Sequence, residues 1–227
     1  MIKRIYDIVF AVLFFIVSSP IMIFAALGIA ITSKGPIIYK AKRVGKNGIP
    51  FILYKFRTMK VDSGEVRVTT LKNDERIYPF GSLLRKSKVD ELPQLINILL
   101  NQMSVVGPRP EDMSIAEEIY VGKYKGIYNV KPGLTSPASL FDYTHGEHYQ
   151  SEDDYITEFL PKKLDVELYY AEHNNIWYDI KITFKTAIII IQMVFGKKDF
   201  KYPKEYYLVQ HLKTGDNDEK SNYYTTI

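Results

Sequence analysis

Twenty-four consecutive residues without a charge, Ile8 to Ile31, constrain this chain more than any other feature of its sequence. At about 1.5 Å per residue a single helix of that length reaches about 36 Å, more than a hydrocarbon layer of about 30 Å. Lys3, Arg4 and Asp7 precede the run, and Lys34, Lys40, Lys42 and Arg43 follow it. It reads as a membrane segment. Ser18, Ser19 and Pro20 fall in its middle. The proline has no N–H and clashes with the preceding turn, so a kink is expected there. The serine hydroxyls offer the freed carbonyls donors that lipid cannot. Basic residues at both ends favour placing both flanks in the cytoplasm. A helix that enters the bilayer, breaks at Ser19-Pro20 and returns satisfies both conditions. Two other readings stay open: a plain spanning anchor, and a signal peptide cleaved near Gly28-Ile29-Ala30, for which the run is long.

The 227 residues are enough for one domain plus an anchor. A formal charge of +4 permits phosphate-rich partners without choosing among nucleotide, nucleic acid and anionic membrane. The absence of cysteine excludes disulfides, thiolate zinc sites and thiol nucleophiles, leaving an oxygen or nitrogen to do any nucleophilic work. From Pro36 to Met59 apolar and basic residues alternate around Lys46-Asn47-Gly48, the pattern of a short β-hairpin rich in outward Lys and Arg. Residues 61–76 are polar and aperiodic and read as a loop, with a lid over a substrate as the functional alternative. The spacing of Val89, Leu92, Leu95, Ile96 and Leu99 predicts a helix within Phe80 to Asn101, starting near Ser87 or Lys88 so that Pro93 falls in its first turn. Asp90, Gln94, Asn97 and Asn101 share the opposite face, and Asp90-Glu91 lies at the helix N-terminus. Asp165 to Phe195 reads as an amphipathic helix, too short in its uncharged part to span, and either packed in the core or lying on the membrane surface. The end of the chain is polar, and from about Thr214 it reads as a tail without fixed structure.

Chemistry concentrates where Arg85, Lys86 and Lys88 precede Asp90-Glu91 and Gly107-Pro108-Arg109-Pro110 follows. On residues alone, adjacent acids beside arginines are most often solvated helix-end charges. The string FGSLLRKSKVDELPQLINILLNQMSVVGPRP, however, resembles the signature of the monotopic phosphoglycosyl transferases, the bacterial sugar transferases. The resemblance continues through KRIYDIVFAVLFFIVSSP, YKFRTM, NDERI, VKPGLTS and KLDVELYY and covers about residues 2–190. It implies an α+β, predominantly helical protein: a re-entrant membrane helix over residues 1–33, a small cytoplasmic catalytic domain with a short β-hairpin over 34–200, and a polar tail over 201–227. Longer relatives carry extra transmembrane helices ahead of this unit, so the minimal form is expected.

The resemblance further implies that Asp90 attacks the β-phosphate of a UDP-sugar, releasing UMP and leaving a phosphosugar on the enzyme. A polyprenyl (undecaprenyl) phosphate then takes it up, in a ping-pong cycle at the cytoplasmic face of the bacterial inner membrane. Glu91 is implied as a Mg2+ ligand, Arg85 as a phosphate-positioning residue and Arg109 as a neighbour of the active site. Lys55 and Arg57 of YKFRTM are candidates for donor phosphates or lipid headgroups. Mg2+ and Arg85 would neutralise the diphosphate that a carboxylate must approach, and basic neighbours at a helix N-terminus are expected to lower the Asp90 pKa. The implied pathway role is an early step of capsule or exopolysaccharide assembly, with later glycosyltransferases as partners and a homodimer permitted.

The chain departs from the family after Thr135. Members commonly continue with Gly-Trp-Ala-Gln and an Asn-Gly-Arg turn, whereas this sequence reads SPASLFDYTHGEHY from Ser136 to Tyr149 and lacks the arginine. That puts donor recognition in question more than the reaction. His145, Glu147 and His148 in this stretch have metal-like spacing but a loop-like context, which favours a structural role. Two rival classes are an idle membrane scaffold for glycan enzymes, separable by covalent turnover, and a nucleic-acid-binding module, which leaves the apolar segment unexplained and is not expected.

Overall fold

The computed structural model describes residues 1–61, 75–146, 149 and 151–214. The stretch read as a loop or lid therefore lies largely outside the described residues, as do Glu147, His148 and everything beyond Thr214. Met59 pairs with Ile77, and Lys60 N–H donates to the Arg76 carbonyl at 2.9 Å, so the two ends of that stretch are held together.

α1 runs from Ile2 to Thr32 with Pro20 inside it. Among the described residues it is the one helix long and apolar enough to cross a membrane. Pro20 leaves the Ile16 carbonyl without its usual amide donor, and the Ser19 hydroxyl takes that place at 2.8 Å. The Ser18 hydroxyl donates to the Phe14 carbonyl at 2.6 Å. β1 (Ile38–Val44) and β2 (Pro50–Phe56) form the expected antiparallel hairpin, Ile38 opposite Phe56 and Val44 opposite Pro50. Asn47 and Gly48 both take positive φ, 58° and 75°, the backbone that an Asn-Gly turn favours.

The central helix differs from its expectation. It is two helices, α2 (Pro79–Lys86) and α3 (Gln94–Leu99), separated by Lys88 in the left-handed region (φ 56°) and one 3-10 turn over Val89–Glu91. Asp90 and Glu91 thus sit in the turn that feeds α3, rather than in a helix proper. The faces are mixed as well: Leu95 is buried and Asn101 exposed as expected, but Gln94 and Asn97 are buried too, while Ile96 and Leu99 are exposed. Asn97 is satisfied, because its side chain accepts from Tyr54 N–H at 3.1 Å and donates to the Ile52 carbonyl at 2.6 Å, tying α3 to β2.

β3 (Ser104–Val106) and β4 (Gly133–Thr135) make a two-stranded parallel pair, each too short to leave a period in the sequence. The strands close up at Gly107 and Gly133, where a Cβ would fall 2.2 Å from the Lys131 carbonyl oxygen and 2.1 Å from the Gly107 nitrogen. α4 (Met113–Ile119) is capped by Asp112, and a 3-10 stretch spans Gly122–Asn129. α5 (Pro137–His145) is capped by Ser136, whose hydroxyl oxygen accepts from Ser139 N–H at 2.8 Å. α6 (Glu152–Asp154) passes through a π-helical turn, Tyr155–Phe159, into α7 (Leu160–His173). The long amphipathic helix expected over Asp165 to Phe195 is therefore also broken. α7 ends at His173, and Asn175 caps α8 (Ile176–Val194) by accepting from Tyr178 N–H at 3.0 Å. Part of the segment read as a polar tail is ordered: α9 (Lys204–Thr214) packs on α7 and buries Glu205 and Val209.

Both halves of α1 lie on this domain. In the first half, Arg4 donates to the Ile98 and Leu99 carbonyls at the end of α3, at 2.7 and 3.0 Å. The Asp7 carboxylate accepts from Ser104 Oγ at 2.8 Å and Val105 N–H at 2.9 Å. In the second half, Ala25 and Ile29 pack with Phe56 and Leu84, and Gly28 lets the Phe80 ring come within 2.4 Å of where a Cβ would stand. Arg57, just after β2, donates to the Ser33 and Lys34 carbonyls that follow the end of α1, each at 2.6 Å. A straight span would carry one end of α1 roughly a bilayer's thickness from the domain; here both ends are docked on it.

Candidate active site

The left-handed Lys88 ends α2 and swings the following turn inward, burying Asp90 and Glu91 to 4% and 8% exposure. β2 brings Lys55 opposite, its Nζ 3.9 Å from Asp90 Oδ2 and 4.0 Å from Glu91 Oε1. The loop after β3 brings Arg109, with Nη1 3.8 Å from Glu91 Oε1. From α5, the Tyr143 hydroxyl donates to Glu91 Oε2 and accepts from Arg109 Nη1, both at 3.3 Å. The Lys88 ammonium lies over the Tyr143 ring, 3.4 Å from its centroid. Arg85, on the last turn of α2, acts on Asp90 and Lys55 through space. Among the described residues, Asp90 Oδ1 is buried with no hydrogen-bond partner.

Burial pushes the Asp90 carboxyl above its ordinary pKa, and it outweighs Lys55, Lys88 and Arg85. The expectation of a lowered Asp90 pKa is thereby corrected: the carboxyl is too dry for its cations to win, and it precedes α3 instead of capping it. Glu91 goes the other way. Burial is its largest single influence and raises it, but Lys55, Arg109, Lys88 and the Tyr143 hydrogen bond together hold it below the usual value. Burial lowers both Lys55 and Lys88. Four basic side chains, Lys55, Arg85, Lys88 and Arg109, thus surround two carboxylates, a surplus of positive charge in a poorly hydrated space. Such a space favours a polyanion that brings its own negative charge.

Behind Arg109 lies a second buried network. Glu167 accepts from Arg109 N–H at 3.3 Å and Tyr120 hydroxyl at 3.2 Å, and burial pushes its pKa up to about 7. Lys163 Nζ stands 3.3 Å from Glu111 and 3.5 Å from Asp142, and the Tyr155 hydroxyl donates to Asp142 at 3.1 Å. Of the residues singled out from sequence, Lys55, Asp90, Glu91 and Arg109 meet directly and Arg85 stands near. Arg57 does not join them through its guanidinium contacts, which go to the carbonyls after α1. Ser19 and Pro20 belong to α1. His145 stacks on Tyr202 beside a cavity of about 110 Å3 lined by Phe141, Tyr149, Phe159 and Lys162, consistent with packing. Among the described residues no group of three or more His, Cys, Asp or Glu side chains could hold a metal ion.

Sequence reasoning passed over Tyr143, Lys163 and Glu167, and named Lys88 only as part of the basic cluster. Lys163 and Glu167 had a signal, charges four apart on the α7 face that also carries the buried Tyr170. Tyr143 had none beyond its place in the stretch that departs from the family.

Comparison with known proteins gives one consistent picture. The family model described as bacterial sugar transferase matches residues 1–193. A UDP-glucose:undecaprenyl-phosphate glucose-1-phosphate transferase of Escherichia coli (strain K12) is 36% identical over 190 residues, 82% of this chain and 39% of the relative. A UDP-N-acetylgalactosamine-undecaprenyl-phosphate N-acetylgalactosaminephosphotransferase of Aeromonas hydrophila is 34% identical over 195 residues, 84% and 44% of the two chains. An exopolysaccharide production protein of Rhizobium leguminosarum bv. phaseoli is 35% identical over 193 residues, 82% and 93%. The chain spans about two fifths of the length of several curated relatives it matches.

Proposed function

The chain belongs to the bacterial sugar transferase family, and from that premise we propose that it moves a sugar 1-phosphate from a UDP-sugar to a polyprenyl phosphate such as undecaprenyl phosphate, with Asp90 as the nucleophile. The observation that carries this reading is the buried dyad in its excess of positive charge, with Asp90 Oδ1 free of partners among the described residues. A carboxylate that is an acceptor without a donor, facing cations without enough anions, suits attack on a diphosphate.

In the first half-reaction an Asp90 carboxylate oxygen bonds to the sugar-bearing β-phosphorus. The bridging P–O bond to the α-phosphate breaks, and UMP leaves with the electron pair. In the second, a polyprenyl phosphate oxygen attacks that phosphorus and the Asp90 carboxylate departs, giving a polyprenyl diphosphate sugar. Lys55, sharing Asp90 and Glu91, offers its charge to the phosphoryl oxygens as they approach, and Arg109 and Arg85 offer theirs. Two adjacent carboxylates without a third match Mg2+, which takes one or two protein carboxylates and completes its shell with water and substrate phosphates. Glu91 would hold it, and the ion would supply further charge neutralisation at the diphosphate.

Membrane placement belongs to the same proposal. α1 leaves Leu13, Val17 and Phe24 exposed, α3 leaves Ile96, Leu99 and Leu100, and α8 leaves Phe184, Ile188 and Ile191. Those helices touch: α1 packs on α3, and the Tyr6 and Thr183 hydroxyls bond at 2.7 Å between α1 and α8. So large an apolar surface on connected helices fits a lipid partner. Docking of both ends of α1 on the domain favours a helix that dips into one leaflet, with the site at the cytoplasmic face of the inner membrane. The implied pathway position is an early membrane step of polysaccharide assembly.

The test is UMP release from a panel of UDP-sugars with undecaprenyl phosphate and Mg2+. Native protein should release UMP and, without the lipid acceptor, gain the mass of one phosphosugar; Asp90→Ala should lose release by more than about 10⁴-fold and gain no mass. Native protein silent across a broad panel, with the lipid verified by a known transferase, would return the chain to the scaffold reading.

A further inference from the structure

Tyr143 joins three charged side chains of the site, although its stretch of sequence is the one that departs from the family. Its hydroxyl has one proton and free lone pairs, so donating to Glu91 Oε2 leaves it able to accept from Arg109 Nη1, both at 3.3 Å. Its ring face carries the Lys88 ammonium at 3.4 Å. The position is fixed from behind. Leu140 and Phe141 of the same helix are buried, and Asp142 is held by Lys163 and by the Tyr155 hydroxyl.

We propose that Tyr143 is a positioning residue for the transfer, holding Glu91 and Arg109 in register through its hydroxyl and Lys88 through its ring. The proposal rests on the reading of the site given above and names a part of it that the family resemblance does not supply. The hydroxyl gives Glu91 a donor that fixes its carboxylate and gives Arg109 an acceptor that fixes its guanidinium beside it. The ring keeps the Lys88 charge on one side of Glu91 without pairing the two directly.

Tyr143→Phe separates these roles, because it keeps the ring and removes the hydroxyl. The first readout needs no turnover: the Glu91 carboxyl 13C resonance, identified by its loss in Glu91→Gln, is compared between native and Tyr143→Phe at one fixed pH. Loss of the hydrogen-bond donor should shift it. The second is UMP release, where kcat should fall by about 10- to 100-fold, the range for losing a partner that orients a ligating side chain. KM should change little. Tyr143→Leu, which also releases Lys88, should be worse than Tyr143→Phe at equal melting temperature. An unchanged Glu91 resonance together with an unchanged kcat would overturn the proposal and leave Tyr143 as packing. A shifted resonance in a protein whose native form releases no UMP would retain the hold on Glu91 and remove the transferase reading instead.

Discussion

Lys88 occupies the left-handed region without being glycine, at a backbone cost of roughly 1–2 kcal/mol. Its ammonium over Tyr143 offsets about 0.5–2 kcal/mol of that. A Lys88→Gly variant should therefore melt close to the native protein, while UMP release falls at least tenfold because one of the four charges around the dyad has gone; equal activity would show that only the turn matters. Glu167 makes a second separation. As an acid raised from 4.5 to about 7 by burial, it binds its proton in the folded state before the unfolded chain does. Its effect on stability is thus neutral below pH 4.5, grows unfavourable as pH rises to about 7, and stays constant above. Glu167→Gln removes that penalty, so its unfolding free energy relative to native should rise between pH 4.5 and 7 and level off, by at most about 3 kcal/mol. A gain independent of pH would mean that Glu167 is not the titrating group. Asp90, Glu91 and Arg109 were legible because they stand in one contiguous motif. Tyr143 and Glu167 reach the site only through tertiary packing, 52 residues from Glu91 and 58 from Arg109, and the charge spacing that marks the Glu167 face of α7 does not say what that face packs against.

At the scale of elements, the hairpin was readable to its turn, because Asn47-Gly48 names its own backbone. The helix over Phe80 to Asn101 was misjudged for two physical reasons. Its break lies at a lysine, which carries no breaking signal, and apolar periodicity cannot tell an apolar side chain that packs in the core from one that stays exposed. Gln94 and Asn97 went inward, where Asn97 finds donors and acceptors in β2, and Ile96 and Leu99 went outward. α1 is joined to the domain by polar contacts that its apolar composition hides. Asp7→Ala should leave the Val105 N–H buried without its partner and lower stability by about 1–3 kcal/mol. Thermal denaturation in detergent measures this, and an unchanged midpoint would mean that lipid packing alone holds α1.

For the whole molecule, the open question in the sequence was whether its last long helix packs inside or meets lipid, and α8 is packed on one side and exposed on the other: Ile182 is buried while Trp177 is 73% exposed. The chain has a single tryptophan, so its emission reports on α8 alone. In reconstituted vesicles, Trp177 should be quenched by brominated acyl chains and shielded from iodide; the reverse pattern would put this face of α8 in water. The docking of α1 also has a consequence in time. Asp7 waits for Val105, 98 residues further on, and Tyr6 waits for Thr183, 177 residues further on. At synthesis rates of about 5–20 residues per second, Thr183 emerges roughly 9–35 s after Tyr6. Throughout that interval the most apolar helix of the protein exists without the surface it will rest on, so its early custodian during biogenesis must be the bilayer or a chaperone rather than its own domain.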